Sequence, residues 1–289
     1  MKNISRTLAL ICLFALVLTS AACAATTTAA ATETTTAAAA ETTTAAAPEA
    51  TTAAPAAGTI AKIADLDGKV IGTQLGTTGD TIANEQVKAK SVEAFKLFVD
   101  AITSLKQSKV DAVIMDRFSA EVFVAQNPDL KIVDVGFDAE QYAIAVDKGN
   151  TELKATVDEV LAALKADGSL TKIVDSHANE AGALADLNTG AKNGKLVMGT
   201  SAGFPPFEYL NDKNEVIGVD VDIMAAVAKK LDKQLVVENM DFDGLIPALN
   251  GGKIDAIAAG MTVTDERKVN VDFSNTYFDA SQVVVVRAQ

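Results

Sequence analysis

"KLVMGTSAGFPPFEYL" (Lys195–Leu210) reads as the opening of a folded unit: a short apolar strand, a Gly/Ser/Thr turn, then an aromatic–Pro–Pro–aromatic corner. It stands about two-thirds of the way along a chain of 289 residues. On both sides of it strands alternate with helices. Upstream run the strand "KVIGTQL", a helix from "GDTIANEQVKAK", the short strands "DAVIMD" and "KIVDV" around helical "RFSAEVFVAQ", then "YAIAVD" and two helices, "NTELKATVDEVLAALKADG" and "SLTKIVDSHAN". After the loop-like "EAGALADLNTGAKN" the pattern restarts with "KLVMGT", and it continues through the helix "DVDIMAAVAKKL", the strand "QLVVENM", the helix "DGLIPALNGG" and the strand "DAIAAG". The chain closes on "SQVVVVRAQ". Such alternation predicts an α/β fold with largely parallel sheets. Roughly 230 residues from Gly58 onward exceed one core, so two lobes are expected.

Two segments echo each other, "LKQSKVDAVIMD" (105–116) and "LNGGKIDAIAAG" (249–260). Each is a helix end, a polar turn, a Lys, an apolar residue, Asp–Ala and a strand. Any α/β unit can produce this order. It also fits one strand end per lobe, both facing a shared cleft, where open α/β sheets take ligands.

The N-terminus has the layout of an export signal: Lys2 and Arg6, the apolar run Leu8–Leu18, then "TSAAC" ending at Cys23. A cysteine after small residues resembles a bacterial lipobox, with Ser20 where Leu is usual. Residues 1–23 are accordingly expected to be a lipoprotein signal, with Cys23 lipidated and anchoring the protein to the outer face of the cell membrane. Cys12 and Cys23 are the two cysteines, so the folded part is expected to hold neither a disulfide nor a thiolate metal site. Residues 24–58 are nearly all Ala, Thr, Glu and Pro. Their interrupted apolar faces suit a tether whose ends lie about 30 Å apart. The formal charge of −13 argues against nucleic acid as a partner.

The stretch "DFDGLIPALNGGKIDAIAAGMTVTDERKVNVDFSNTYF" (241–278) carries several specific positions at once. Together with "GTSAGFPPFEYL", "LDGKVIGTQLGTTGD" and "AVIMD", it closely resembles the type II solute-binding proteins that feed polar amino acids to ABC transporters. The resemblance implies a two-lobed periplasmic-binding-protein fold of the Venus-flytrap kind. It further implies a free amino acid as ligand, a permease as partner, a monomer, and neither cofactor nor metal. The order is rotated against the family's usual chain, in which the "FPPFEY" and "TDER" lobe comes first. A circular permutation is therefore expected, with lobes at 59–143 and 144–289 and with residues 180–193 joining the old ends. In that reading "YAIAVD" is the one covalent crossing between the lobes, and "SQVVVVRAQ" adds its strand at the hinge.

A free amino acid must have its carboxylate and ammonium desolvated together, which requires a cation, an anion and further hydrogen bonds placed in advance. Arg267 offers a planar fork for the carboxylate. The helix beginning after "GTTGD" adds N–H groups near Thr77 and Thr78. Asp116 would accept the ammonium with the Gly260 carbonyl and the Thr262 hydroxyl, while Phe204 and Phe242 would sandwich the aliphatic part. By resemblance each of these positions matches a ligand contact, as does Gln74. Ser201 matches a position that is commonly Asp or Glu in members binding charged side chains or Gln, so an uncharged ligand side chain is expected. Bland alternatives remain at each position: Arg267 in a solvated short helix, Asp116 capping the next helix, the two Phe as core. Glu208 is read as facing the turn and His177 as exposed. No catalytic residue is expected. An exported enzyme resembling the cyclohexadienyl dehydratases, or an amino-acid-sensing receptor module, is the alternative on the same fold.

Overall fold

The run Val283–Val286 is apolar at four successive positions, and a strand of that composition is stable only where both of its faces are covered. That requirement organises half of the molecule. The computed structural model describes residues 60–178, 186–187 and 190–288, so the expected signal, Cys23 and the tether lie outside the described residues.

The first part of the chain runs β1 (Val70–Gln74), α1 (Thr78–Glu85), β2 (Ser91–Phe95), α2 (Phe98–Lys106), β3 (Ala112–Asp116), α3 (Arg117–Gln126), β4 (Leu130–Val133) and β5 (Ala139–Tyr142). The second runs β6 (Ala145–Asp147), α4 (Thr151–Ala166), α5 (Ser169–Ala178), β7 (Lys195–Thr200), β8 (Tyr209–Leu210), β9 (Val216–Ile217), α6 (Val219–Lys230), β10 (Gln234–Asn239), α7 (Leu245–Asn250), β11 (Ala256–Ile257), α8 (Asp265–Asn270), β12 (Val271–Phe273) and β13 (Phe278–Arg287). One sheet has the order β2-β1-β3-β13-β4, with β5 also paired to β13. The other has the order β10-β7-β11-β6-β12, and β8 and β9 form a separate hairpin. β1 pairs in parallel with β2 and β3, and β7 with β10 and β11, while β13 and β6 run antiparallel to their neighbours. The fold is the α/β, two-sheet architecture that the alternation predicts, but the sheets are mixed rather than largely parallel: β13 and β6, the strands that follow the crossings between sheets, run antiparallel to every strand they pair with.

β13 corrects two expectations. The sequence reading assigned it, with the rest of 144–289, to the second lobe. It lies instead inside the first sheet, paired to β3 through Gln282–Val285 and to β4 through Val284–Arg287. Strand alternation explains the placement: Val284 and Val286 enter one apolar cluster with Ile71, Ile82 and Ile114, whereas Val283 and Val285 enter another with Val113 and Met115. Only an interior position covers both faces of such a strand. The second correction follows from the first. The chain crosses between sheets twice, from β5 to β6 and from β12 to β13, so "YAIAVD" is not the sole crossing. The two crossings run side by side, with Ser274 N–H donating to the Ile144 carbonyl at 2.9 Å, Tyr277 N–H to the Tyr142 carbonyl at 2.9 Å, and Ile144 N–H to Ser274 Oγ at 3.0 Å.

The echoed segments are structural equivalents. Asp111 donates its N–H to the Val70 carbonyl at 2.7 Å and accepts from Val70 N–H at 2.9 Å. Asp255 donates to the Val197 carbonyl at 2.7 Å and accepts from Val197 N–H at 2.8 Å. Each Asp ties its strand to the neighbouring parallel strand, β1 or β7, and each segment leads to a cavity residue, Asp116 or Gly260. Strand β2 and helix α2, between "GDTIANEQVKAK" and "DAVIMD", had no clear sequence signal apart from the α2 C-terminus in "LKQSKVD". The burial pattern of β2 is only partial, which leaves no clean alternation to read.

Candidate functional site

The cavity between the sheets is assembled from strand and helix ends. β1 ends at Gln74, and the turn after it lets Thr77 cap α1, its Oγ accepting from Asp80 N–H at 3.3 Å. Thr77 N–H is bonded to the Gln74 carbonyl at 3.2 Å, so the N–H facing outward from the helix start is that of Thr78, the first residue of α1. β3 ends at Asp116. Its carboxyl does not cap α3; it accepts a short hydrogen bond from Tyr142 OH instead.

From the other sheet come Ser201, Phe204, Phe242, Gly260, Thr262 and Arg267. Gly260 has φ +50°, and a Cβ there would meet the Phe204 ring at 2.5 Å, so no other residue fits. Asp220, fully buried at the start of α6, fixes it further by accepting Gly260 N–H at 2.7 Å and Tyr277 OH at 2.6 Å. α8 is capped by Thr264, whose Oγ accepts Arg267 N–H at 3.2 Å. Arg267 itself is only 9% exposed. Its guanidinium donates to the Thr262 carbonyl at 2.8 Å and, across the cleft, to the Gly76 carbonyl at 3.0 Å, lying 5.3 Å from the Phe242 ring centroid.

All ten residues singled out from sequence (Gln74, Thr77, Thr78, Asp116, Ser201, Phe204, Phe242, Gly260, Thr262 and Arg267) line this one cavity. Phe98, Glu208 and Ala259 line it too. Gln74 Nε2 lies 3.4 Å from Ser201 Oγ, which brings the two sides together across the floor. At the rim Lys96 pairs with Asp241 at 2.9 Å and Asp243 at 3.3 Å. These groups are largely exposed, so the contact contributes little beyond closing the mouth.

Two sequence readings are corrected. Glu208 does not face the turn: the Pro-Pro corner doubles back so that Phe204 N–H donates to the Glu208 carbonyl at 2.9 Å, and the Glu208 side chain enters the cavity. It is 1% exposed, and its Oε2 has no hydrogen-bond partner among the described residues. His177 is buried rather than exposed, with Nδ1 3.2 Å from Tyr209 OH and Nε2 3.0 Å from Asp222.

Burial dominates the electrostatics. It pushes Asp116 up to about 7, with the negative charge of Glu140 adding to the rise and the Tyr142 hydroxyl pulling back. Glu208 is raised well above the usual carboxylate range by burial and by Asp220 and Asp116. Asp220 rises to about 6 through burial, restrained by the Tyr277 hydroxyl. Burial likewise lowers Arg267, while Glu140 and Asp116 favour its charge. The cavity therefore offers a guanidinium, acids held partly protonated, hydroxyls and a carbonyl among aromatic rings. An arrangement of this kind can take a small molecule carrying both a carboxylate and an ammonium. An ammonium bound at Asp116 requires the ionised form, so affinity is expected to rise roughly tenfold per pH unit up to about 7 and then level off. The ligand-free fold should show the opposite trend. Its Asp116 is raised above the unfolded value, so the stability from this group is full below about 4 and lost as pH climbs to about 7. Calorimetric titrations from acid to neutral pH, with thermal melts of the free protein, check both signs.

Residues 196–289 match the family "Bacterial extracellular solute-binding proteins, family 3". Over 105 residues the chain is 44% identical to the arginine-binding extracellular protein ArtP of Bacillus subtilis (strain 168), covering 36% of this chain and 41% of that protein. Over 97 residues it is 43% identical to a probable histidine-binding protein of Neisseria gonorrhoeae, covering 33% and 36%. Among solved structures, an ancestral arginine-binding protein bound to arginine is 49% identical, with TM-score 0.29 and coverage of 30% of this chain and 38% of that one. The segment from β7 onward is thus similar to extracellular solute-binding proteins whose names give amino acids as what they bind. The chain spans about two-fifths of the length of the curated relatives it matches.

Proposed function

We propose that this protein binds a free amino acid in the cavity between its two sheets, outside the cytoplasm, and delivers it to the permease of an ABC transporter. One observation carries the reading. A buried guanidinium, Arg267, and a buried acid, Asp116, come from different sheets and meet in one cavity with aromatic walls. Two opposite charges so placed complement a zwitterion and leave its side chain to the remaining wall. The names of the curated relatives, arginine- and histidine-binding, support the same class of ligand. Thermal-shift screening of the twenty amino acids, followed by calorimetry, tests it. No stabilisation by any of them refutes it, and conversion of a bound amino acid seen by mass spectrometry would favour the exported-enzyme alternative.

The side chain is the narrower proposal. The uncharged ligand expected from Ser201 rests on an acid being absent at that one position, and Glu208 brings a carboxyl to the same cavity from another direction. A free Oε2 held away from water favours a ligand whose side chain ends in N–H donors, arginine foremost and glutamine next. Glu208→Gln is expected to weaken arginine about tenfold to hundredfold, the worth of a hydrogen bond to a charged group, and glutamine by less than about threefold. If the unchanged protein prefers a small apolar amino acid, or the variant keeps arginine, Glu208 does not read the side chain.

Three further features belong to the proposal. The chain is a circular permutant, with the lobe bearing "GTTGD" placed ahead of the lobe bearing "FPPFEY". It is anchored through Cys23, so Cys23→Ser should release it from membranes. It works as a monomer.

A further inference from the structure

Glu140, on β5, is outside the cavity lining yet touches two of the residues that form it. Its Oε2 lies 2.8 Å from Thr262 Oγ, 3.0 Å from Thr78 Oγ and 3.2 Å from Gln282 Nε2. A carboxylate can only accept hydrogen bonds, and a threonine hydroxyl has a single proton to give. With that proton directed at Glu140, Thr262 Oγ can present only lone pairs to the cavity. The Gly260 carbonyl beside it is likewise an acceptor, and so is the carboxylate of Asp116.

We propose that Glu140 is a positioning residue that, by taking the Thr262 hydroxyl proton, turns the ligand's α-nitrogen subsite into a set of acceptors only. The proposal rests on the reading of the cavity as an amino-acid site. Three acceptors match the three N–H bonds of an ammonium. A 2-hydroxy acid with the same side chain has one O–H to offer, so the arrangement selects a free amino group over a hydroxyl. The same logic removes one role from Thr78. Its hydroxyl proton also goes to Glu140, and its oxygen accepts from Gln282 Nε2 at 3.2 Å, so its N–H rather than its hydroxyl is left for a ligand carboxylate. Glu140 thereby couples one hydroxyl from each side of the cleft through a single oxygen.

In Glu140→Leu no acceptor remains for either hydroxyl, so the Thr262 proton is free to turn back toward the cavity. The test is competition calorimetry of the full-length protein and this variant with L-arginine, L-glutamine and their 2-hydroxy acid analogues. The variant should lose roughly tenfold to hundredfold in amino-acid affinity and less than about threefold in 2-hydroxy acid affinity. Equal loss for both ligand types, or no loss for either, overturns the proposal, because a purely structural role would move both together. If the wild-type protein binds no amino acid at all, the reading of the cavity fails first and the role of Glu140 with it. Glu140→Gln, whose amide oxygen can take the place of Oε2, should keep the preference. Leu is close to Glu in size, so the Glu140→Leu variant should melt close to the parent. Should it not fold, Thr262→Ser and Thr262→Val decide: Ser is expected to keep the preference for the amino acid and Val to lose it, and identical preferences in the two overturn the proposal.

Discussion

Arg267→Ala should leave the protein folded and without measurable affinity for the amino acid proposed as its ligand. The guanidinium is the cation of the cavity, and it is already oriented, two of its nitrogens being held by the Thr262 and Gly76 carbonyls. A ligand carboxylate entering there would be desolvated against a fork that needs no rearrangement. Truncating one partner of such a buried pair typically costs about 3–5 kcal/mol, because the other charge is left without compensation. That corresponds to a loss of roughly two to four orders of magnitude in affinity. The Gly76 contact adds a second effect. Gly76 follows β1 of the first sheet and Arg267 lies on α8, between β11 and β12 of the second, so the variant also loses a hydrogen bond that draws the two sides together. Arg267→Lys should be intermediate, since a point charge keeps attraction but cannot serve two carbonyls and a carboxylate at once. Calorimetry with the best ligand from the amino-acid screen measures this. Binding of the Ala variant within twofold of the parent would remove Arg267 from the site.

Ending the chain after Val283 should unfold the first lobe, not merely loosen the hinge. The deletion removes Val284, Val285 and Val286 from the middle of the sheet, where they pair with both β3 and β4 and are almost wholly buried. Burial of each valine side chain is worth about 1.5–3 kcal/mol at the upper bound, before any ladder hydrogen bond is counted. Three of them approach the whole stability of a typical domain, about 5–15 kcal/mol. The exposed edges of β3 and β4 would then invite aggregation. Circular dichroism and a thermal melt of the truncated chain check this. A cooperative melt near that of the full-length protein would show that β13 is dispensable to the lobe.

The sequence was informative about whatever repeats at short range. Alternation of strand and helix made the α/β class legible. The paired segments around Asp111 and Asp255 were visible as an echo, and the structure gives them the same two hydrogen bonds to β1 and β7. The ten cavity residues were reached through the resemblance to solute-binding proteins together with the chemistry a zwitterion needs, and every one of them lines the cavity. Strand ends and helix starts are local features, so residues placed there can be picked out without knowing what they face.

What the sequence left open depends on partners far away along the chain. "VVVV" states that a strand must be covered on both faces but not which sheet covers it. Pairing with β3 and β4, more than a hundred residues earlier, decided that and with it the second crossing. His177 is a polar residue at a polar helix end and Glu208 the one charged residue in an aromatic–Pro–Pro–aromatic corner, and neither neighbourhood says which way the side chain turns. Glu208 becomes buried because the Pro-Pro corner folds it back beside Phe204, and His177 because Asp222 and Tyr209 close over it. Glu140 carries no pattern at all in "DAEQYAIAV"; its place is set by hydroxyls 62 residues before it and 122 after it. Amino-acid order by itself determined most of the elements, β2 and α2 apart, and with the family resemblance it named ten of the cavity's residues. Which side chains are cut off from water, and therefore which protons sit where, was decided by tertiary structure, because desolvation depends on groups brought together from both ends of the chain.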